Sequence, residues 1–262
     1  MTAKRAFVGC SGWEYAHWRR VFYPLDVPRR TWLSHYASRF DTVEINSSFY
    51  RLPSISSLRS WRDATPDTFL FALKASRYLT HLKKLTDPKQ PLQRLFGRVR
   101  TFGPKLGPVL YQLPPGWSVN IDRLAAFLEA LPQELPASSS RTSRAPRDRG
   151  RLRHVIEFRD TRWYVDEVLA LLEAHGVALC VHDMPGSESG RRLVGPFIYV
   201  RFHGVNARYG GGYGSRRLAG WADWLAEVRQ SGRDAYVYFN NDIGGHAPHD
   251  ALTLRKLLAE TR

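Results

Sequence analysis

The chain has 262 residues, of which 43% are hydrophobic and 13% aromatic, with two cysteines and a formal net charge of +15. That length and apolar content suit a sizeable core, close to the roughly 250 residues of an α/β barrel, and exclude a largely disordered chain. No run of 18 apolar residues occurs, and the N-terminal "MTAKRAFVGCSGW" lacks an apolar leader core, so a soluble cytoplasmic protein with no membrane partner is expected.

In chain order, the first strand is "AFVGCSG", beginning near residue 6 and carrying Cys10. A helix is predicted over 28–40, where Trp32, Tyr36 and Phe40 recur at a spacing of four. The strands "TVEINS", "FLFALKAS" and "PVLYQLP" follow near residues 42, 69 and 108. "NIDRLAAFLEAL" reads as a helix capped by Asn120. Residues 138–153 are then rich in arginine, with Arg141, Arg144, Arg147, Arg149, Arg151 and Arg153 against Asp148 alone, and read as a disordered insertion. Removing its net +5 leaves +10 on the rest of the chain, so the basic surplus is partly local.

The fifth strand, "HVIEFRD", begins near residue 154 and leads to the helix "VDEVLALLEAHG", stopped by Gly176. The sixth, "VALCVHD", begins near 177 and holds Cys180. Both cysteines lie in apolar strands, which predicts buried free thiols in a reducing compartment. The seventh, "FIYVRFHG", begins near 197, and the short Gly-, Pro- and Ser-rich gap before it leaves no room for a full helix. After "ARYGGGYGS", a helix is predicted over 215–232 with Ser215 as cap and Gly232 as stop. The eighth strand, "AYVYFNND", begins near 235, and "DALTLRKLLAE" is a final amphipathic helix. Strand and helix alternating eight times predict one (β/α)₈ TIM-barrel domain over 1–262, with the helix between strands six and seven short or missing.

Strand side chains alternate between faces, and in a barrel the more apolar set packs under the helices. With Val43 and Ile45 outward, Glu44 and Asn46 face inward. By the same rule Lys74, Gln112, Glu157, Arg159, His182, Tyr199, Arg201, His203, Tyr236, Tyr238 and Asn240 face inward, and the first strand delivers Ser11 and Trp13. The polar members fall late in their strands, at the end where barrel enzymes build their sites. The bland alternative is a structural ion-pair network, Glu44 with Lys74 and Glu157 with Arg159 or Arg201. Against it, a purely structural barrel interior is filled with branched apolar side chains.

The stretches "VGCSGWEYAHWRRVFYP", "FDTVEINSSFYRLPS", "FLFALKASRYLTHLKKL", "LGPVLYQLPP", "VIEFRDTRWY", "YVRFHG" and "YVYFNNDIGGHA" resemble, in order along nearly the whole chain, the YecE-like family of domains of unknown function. The resemblance implies a TIM barrel, remotely similar to the xylose-isomerase and endonuclease-four barrels, and no established activity. Two features depart from it: the Arg-rich insertion, and Asp250 where an asparagine is expected.

The inward acids and bases nearly balance, whereas a multi-metal site concentrates carboxylates and histidines. No cofactor is therefore expected. A divalent metal is the alternative, and it would fall to Glu157, His182, His203 and Asp242. The favoured reading is an enzyme, a hydrolase or other acid–base catalyst, acting on a phosphate-bearing or otherwise anionic small molecule. Glu44, Glu157, Lys74 and His203 are its catalytic candidates. Ser11, Trp13, Asn46, Tyr50, Gln112, Arg159, Arg201, Tyr238, Asn240, Asn241 and Asp242 are its substrate-binding candidates, the arginines for bidentate capture of an anion. A Schiff-base role for Lys74 is disfavoured, because an adjacent glutamate would hold the amine charged. The glycines of 207–215 suit a phosphate cradle or lid at a helix start. The competing readings are a noncatalytic nucleic-acid-binding barrel and a metal-dependent, endonuclease-like phosphodiesterase.

Overall fold

The computed structural model describes residues 4–135, 151–187, 189–206 and 208–261. Eight strands alternate with helices: β1 Ala6–Cys10, β2 Thr42–Ile45, β3 Leu70–Lys74, β4 Leu106–Gln112, β5 His154–Glu157, β6 Ala178–Asp183, β7 Ile198–Phe202 and β8 Ala235–Phe239. The helices are α1 Trp32–Ala37, α2 Ile55–Asp63, α3 Lys89–Val99, α4 Ile121–Glu129, α5 Asp166–Ala174, α6 Gly214–Gln230 and α7 His246–Glu260. The strands form one parallel sheet in the order β1-β8-β7-β6-β5-β4-β3-β2, the arrangement of a TIM barrel.

The seam between β1 and β2 is closed by a side chain. The Tyr36 hydroxyl, from α1, accepts from the Cys10 N–H at 2.7 Å and donates to the Thr42 carbonyl at 3.1 Å. Gly9 permits that approach, since a Cβ there would lie 2.2 Å from the Thr42 carbonyl oxygen.

The alternation of faces holds throughout. Val43, Ile45, Phe71, Leu73, Ile156, Leu179, Val181, Val200, Phe202, Val237 and Phe239 belong to the core between strands and helices. Phe7, Ala72, Leu110, Val155, Cys180, Tyr199, Tyr236 and Tyr238 form a separate apolar plug inside the barrel. Phe7 and Tyr236 stack at 5.0 Å within it. The plug separates the charged residues at the N-terminal end, Arg5, Asp67, Arg153 and Asp234, from the polar side chains that collect above it toward the C-terminal mouth. Cys10 and Cys180 are buried free thiols, as expected.

No helix is present among the described residues between β6 and β7, as the short gap predicts. Ser189 ties this stretch to β6 by accepting from the His182 N–H at 2.8 Å. Asn120 caps α4 by accepting from the Arg123 N–H at 2.9 Å. Ser215 does not cap α6, which begins one residue earlier at Gly214 with no side-chain cap. The helix expected from Asp250 begins at His246. Helix α2 was not legible from apolar spacing, having only Leu58 fully buried, whereas α3 places Leu92, Leu95, Phe96 and Val99 at helical spacing and went unmarked, with Pro91 and Gly97 among them. The Arg-rich segment lies outside the described residues except for its end. There Arg151 pairs with Glu134 in an isolated antiparallel bridge and Leu152 is buried, so 151–153 is ordered.

Candidate active site at the barrel mouth

Glu44, Glu157 and Arg201 come from β2, β5 and β7 and converge above the plug, each with no exposed surface. Arg201 bridges the two acids, donating to Glu44 Oε1 at 2.7 Å and to Glu157 Oε2 at 2.8 Å. Tyr199 donates to Glu44 Oε2 at 2.6 Å, and the Ser11 hydroxyl donates to Glu44 Oε1. Arg159 lies 2.5 Å from Glu157 Oε1, an ion-pair contact that lacks hydrogen-bond alignment. Burial alone would raise the Glu157 carboxyl, but Arg159 and Arg201 outweigh it and hold the group well below the usual carboxylate range. Arg201 is thus an internal counter-ion enclosed by protein, and the expectation that it captures a substrate anion does not fit its placement.

His203 continues the network. Its Nε2 lies 2.9 Å from the Arg159 guanidinium and 3.5 Å from Glu157 Oε1, and its Nδ1 meets the Asn240 amide at 3.2 Å. Burial holds this imidazole well below its ordinary range despite the nearby glutamate, so it is neutral at pH 7. Arg159 also reaches the Met184 sulfur at 2.8 Å.

The expected Glu44–Lys74 pair does not form. Glu44 is already saturated by Arg201, Tyr199 and Ser11, and the Lys74 ammonium instead lies 4.1 Å from the centre of the Phe49 ring. Among the described residues Lys74 Nζ has no ion-pair or hydrogen-bond partner, and the residue is 7% exposed. Burial, reinforced by Arg201, pushes its ammonium down to about 7, against the opposing pull of Glu157 and Glu44. Phe49 is flanked in turn by Tyr50 at 5.1 Å and His81 at 4.9 Å. His81, which the sequence reading did not single out, is pushed down to about 4 by burial and by Lys74. It sits on a single π-helical turn, Tyr78–Leu82, directly after β3, a distortion frequent at functional sites. Three non-glycine residues with positive φ, Lys84, Leu85 and Asp87, follow that turn.

Two clefts flank the mouth. One, of about 330 Å³, is lined by Trp13, Tyr15, Asn46, Tyr50 and Trp61 from the β1 and β2 side. Its Asn46 Oδ1 is buried without a protein partner, and Tyr50 is 79% exposed. The other, of about 230 Å³, is lined by Gln112, Arg159, Met184, Ser187, Arg208 and Tyr209. Tyr209, also missed from sequence, packs on His203 at 5.7 Å with a positive φ of 69°.

Three candidates stand outside this cluster. Tyr238 is fully buried in the plug, bonded to Thr42 at 2.7 Å. Asn241 is a loop latch, donating to the Gly211 carbonyl at 2.9 Å and to Asp250 at 2.7 Å. Asp242 meets His17 through its backbone carbonyl at 2.7 Å. Asp250, which stands where an asparagine is expected, also accepts from the Tyr213 N–H at 3.1 Å on the same Oδ2, a pair of bonds that an asparagine carbonyl could equally accept. The Tyr213 amide, just before α6, is therefore occupied rather than offered to a phosphate. Glu157, His182, His203 and Asp242 do not assemble as ligands, and among the described residues no three His, Cys, Asp or Glu side chains group to hold a metal. His182 lies beside His203, ring centres 6.3 Å apart, and bonds to Ser187 at 3.2 Å.

Fold and mouth together define a TIM-barrel protein with a buried, arginine-bridged carboxylate pair at the C-terminal end of its strands. The chain belongs to the family described as "Protein of unknown function DUF72", whose model matches residues 7–262. It is similar to the UPF0759 protein YunF of Bacillus subtilis, 25% identical over 283 residues that cover 96% of this chain and 94% of that protein. It also matches the UPF0759 protein YecE of Escherichia coli, 28% identical over 129 residues, 49% of this chain and 45% of that protein. A crystal structure of a DUF72 family protein from Thermotoga maritima superposes with a TM-score of 0.75 at 26% identity, covering 97% of this chain and 99% of that one. Another, from Enterococcus faecalis, gives 0.77 at 19% identity over 97% and 95%, a likeness of fold. No helix among the described residues is long and apolar enough to cross a membrane.

Proposed function

We propose that the barrel mouth binds a small anionic substrate and performs acid–base chemistry on it, with Lys74 as the group that changes protonation. One observation carries this reading: the two buried acids are already neutralised by Arg201 and Arg159, which leaves Lys74 as an unmatched cation beside them. A phosphate or carboxylate arriving at Lys74 would restore neutrality in a largely buried site. Glu44 and Glu157 are less suited to proton transfer than the sequence implied, since both are enclosed and Glu157 is held ionised. Their support is electrostatic.

Sulfate, which does not titrate near neutrality, tests the reading. A bound anion favours the charged lysine, so affinity should fall by about tenfold per pH unit above 7. Calorimetric titration at constant ionic strength should show binding at pH 6, weaker binding at pH 9, and none in Lys74→Met. Lys74→Arg should bind sulfate equally at both pH values. Binding that ignores Lys74 but collapses with added salt would favour a nucleic-acid-type charged surface instead.

A further inference from the structure

We infer that the substrate carries a carbonyl group next to its anion and that Lys74 captures this carbonyl as an imine. The inference rests on the reading of the mouth as an anion site and adds a reaction class to it.

The geometry around Lys74 is poor for a counter-ion and good for a nucleophile. A permanent cation in this position would be better supplied by arginine, which is less strongly hydrated and stays charged. Lysine is the basic side chain that can release its proton and expose a lone pair. Among the described residues its ammonium has the face of the Phe49 ring, a weak cation–π partner in place of a carboxylate, and the acids Glu44 and Glu157 are bound by Arg201 and Arg159. Desolvation beside other cations is the established way to make a lysine amine nucleophilic. Here burial does most of the lowering of the Lys74 ammonium, Arg201 and Arg159 add to it, and Glu157 and Glu44 oppose it. The disfavoured Schiff-base role assumed that Glu44 pairs with Lys74, and that pairing is absent.

The step balances without an oxidant or reductant. The Lys74 Nζ lone pair attacks the carbonyl carbon, the C–N bond forms, and the C=O pair moves to oxygen, which takes up a proton as nitrogen loses one. The carbinolamine then expels water as its C–O bond breaks, so amine plus carbonyl gives imine plus water. Once protonated, the imine is a cation above Glu44 and Glu157, which would stabilise it. Its π system can accept an electron pair from a bond beside the former carbonyl carbon. The ligand class is therefore a 2-oxo acid, or an aldehyde or ketone bearing a phosphate.

The test uses the wild-type protein, pyruvate as probe and cyanoborohydride to fix any imine, with peptide mapping by mass spectrometry. At pH 7 a lysine titrating near 7 has about a thousandfold more free amine than an ordinary one, so Lys74 should label more than ~10-fold faster than the exposed Lys84. Sulfate should slow labelling of Lys74 and leave Lys84 unaffected. Acetone, which lacks the anion, should label Lys74 more slowly than pyruvate does. Lys74→Arg, which keeps the charge, should lose the adduct and still bind sulfate. Labelling of Lys74 no faster than Lys84, with sulfate binding still dependent on Lys74, overturns the imine and leaves the anion site standing. Rapid labelling of Lys74 with sulfate binding independent of it supports the imine and removes the anion site.

Discussion

Arg201 reaches Glu44 from the far side of the barrel, across 157 residues of sequence, and holds its carboxylate at 2.7 Å. That contact frees Lys74, on the strand next to Glu44, from the role its position implies. A buried cation without a partner opposes folding. Below pH 7 Lys74 is charged in both the folded and unfolded chain, and the folded state carries the full desolvation cost. Between about 7 and the unfolded value near 10.4, only the unfolded chain holds the proton, so stability rises with pH. Lys74→Met should therefore stabilise the protein by on the order of 2–4 kcal/mol at pH 6, and the gain should shrink steadily towards pH 10. Urea unfolding at pH 6 and pH 9 checks this, and a variant less stable at both would contradict it.

The carboxylates behave in the opposite way. Glu157 sits between Arg159 and Arg201, and its removal leaves the buried Arg159 guanidinium without a carboxylate and Arg201 with Glu44 alone. Glu157→Gln should cost about 3–5 kcal/mol, the usual result of breaking a buried ion pair from one side. Glu44→Gln should be smaller in effect, because Arg201 keeps its bond to Glu157. Chemical denaturation of the two variants gives the comparison.

Acid should destabilise the chain before ordinary carboxylates titrate. His154 and His182 are pushed down to about 4 by burial, and burial lowers His203 in the same direction. The unfolded chain takes up these protons near 6.5, so stability falls as pH drops below 6.5 and continues to fall towards 4. Melting temperature measured from pH 7 to 4.5 should decline throughout, and His154→Gln should flatten the slope. His154 is far from the mouth, bonded to the Pro132 carbonyl at 2.7 Å, so its variant reports stability without touching the site.

The β1–β2 seam offers a fourth prediction. Tyr36→Phe removes the hydroxyl that serves both Cys10 and Thr42, at a cost of about 1–3 kcal/mol. Gly9→Ala should be worse, about 3 kcal/mol or more, because its new methyl meets a backbone oxygen that cannot rotate away. Thermal melts rank the two, and a neutral Gly9→Ala would show that the seam yields.

The barrel was legible because its strands alternate strictly: Val43 and Ile45 outward force Glu44 inward, and the same parity delivers Glu157, Arg201 and His203 to one mouth. The pairing was not legible. Parity says which face a side chain takes and not which of several cations reaches a given acid across the barrel, so position alone assigns the adjacent Lys74 to Glu44. Tyr199 was read as inward, but nothing local marked its bond to Glu44. His81 lies on a π-helical turn seven residues past Lys74, where neither the strand nor the helix period applies. Asn241 looked like a ligand group because its partners, Gly211 and Asp250, come from other segments.

The central claim is that Lys74 is a free, desolvated amine waiting for an anion. Its side-chain NMR titration, assigned by loss of the signal in Lys74→Arg, tests this most directly. The account predicts a midpoint near 7 in the free protein that moves upward when sulfate is added. A midpoint near that of the exposed lysines, or one that sulfate leaves in place, would contradict it.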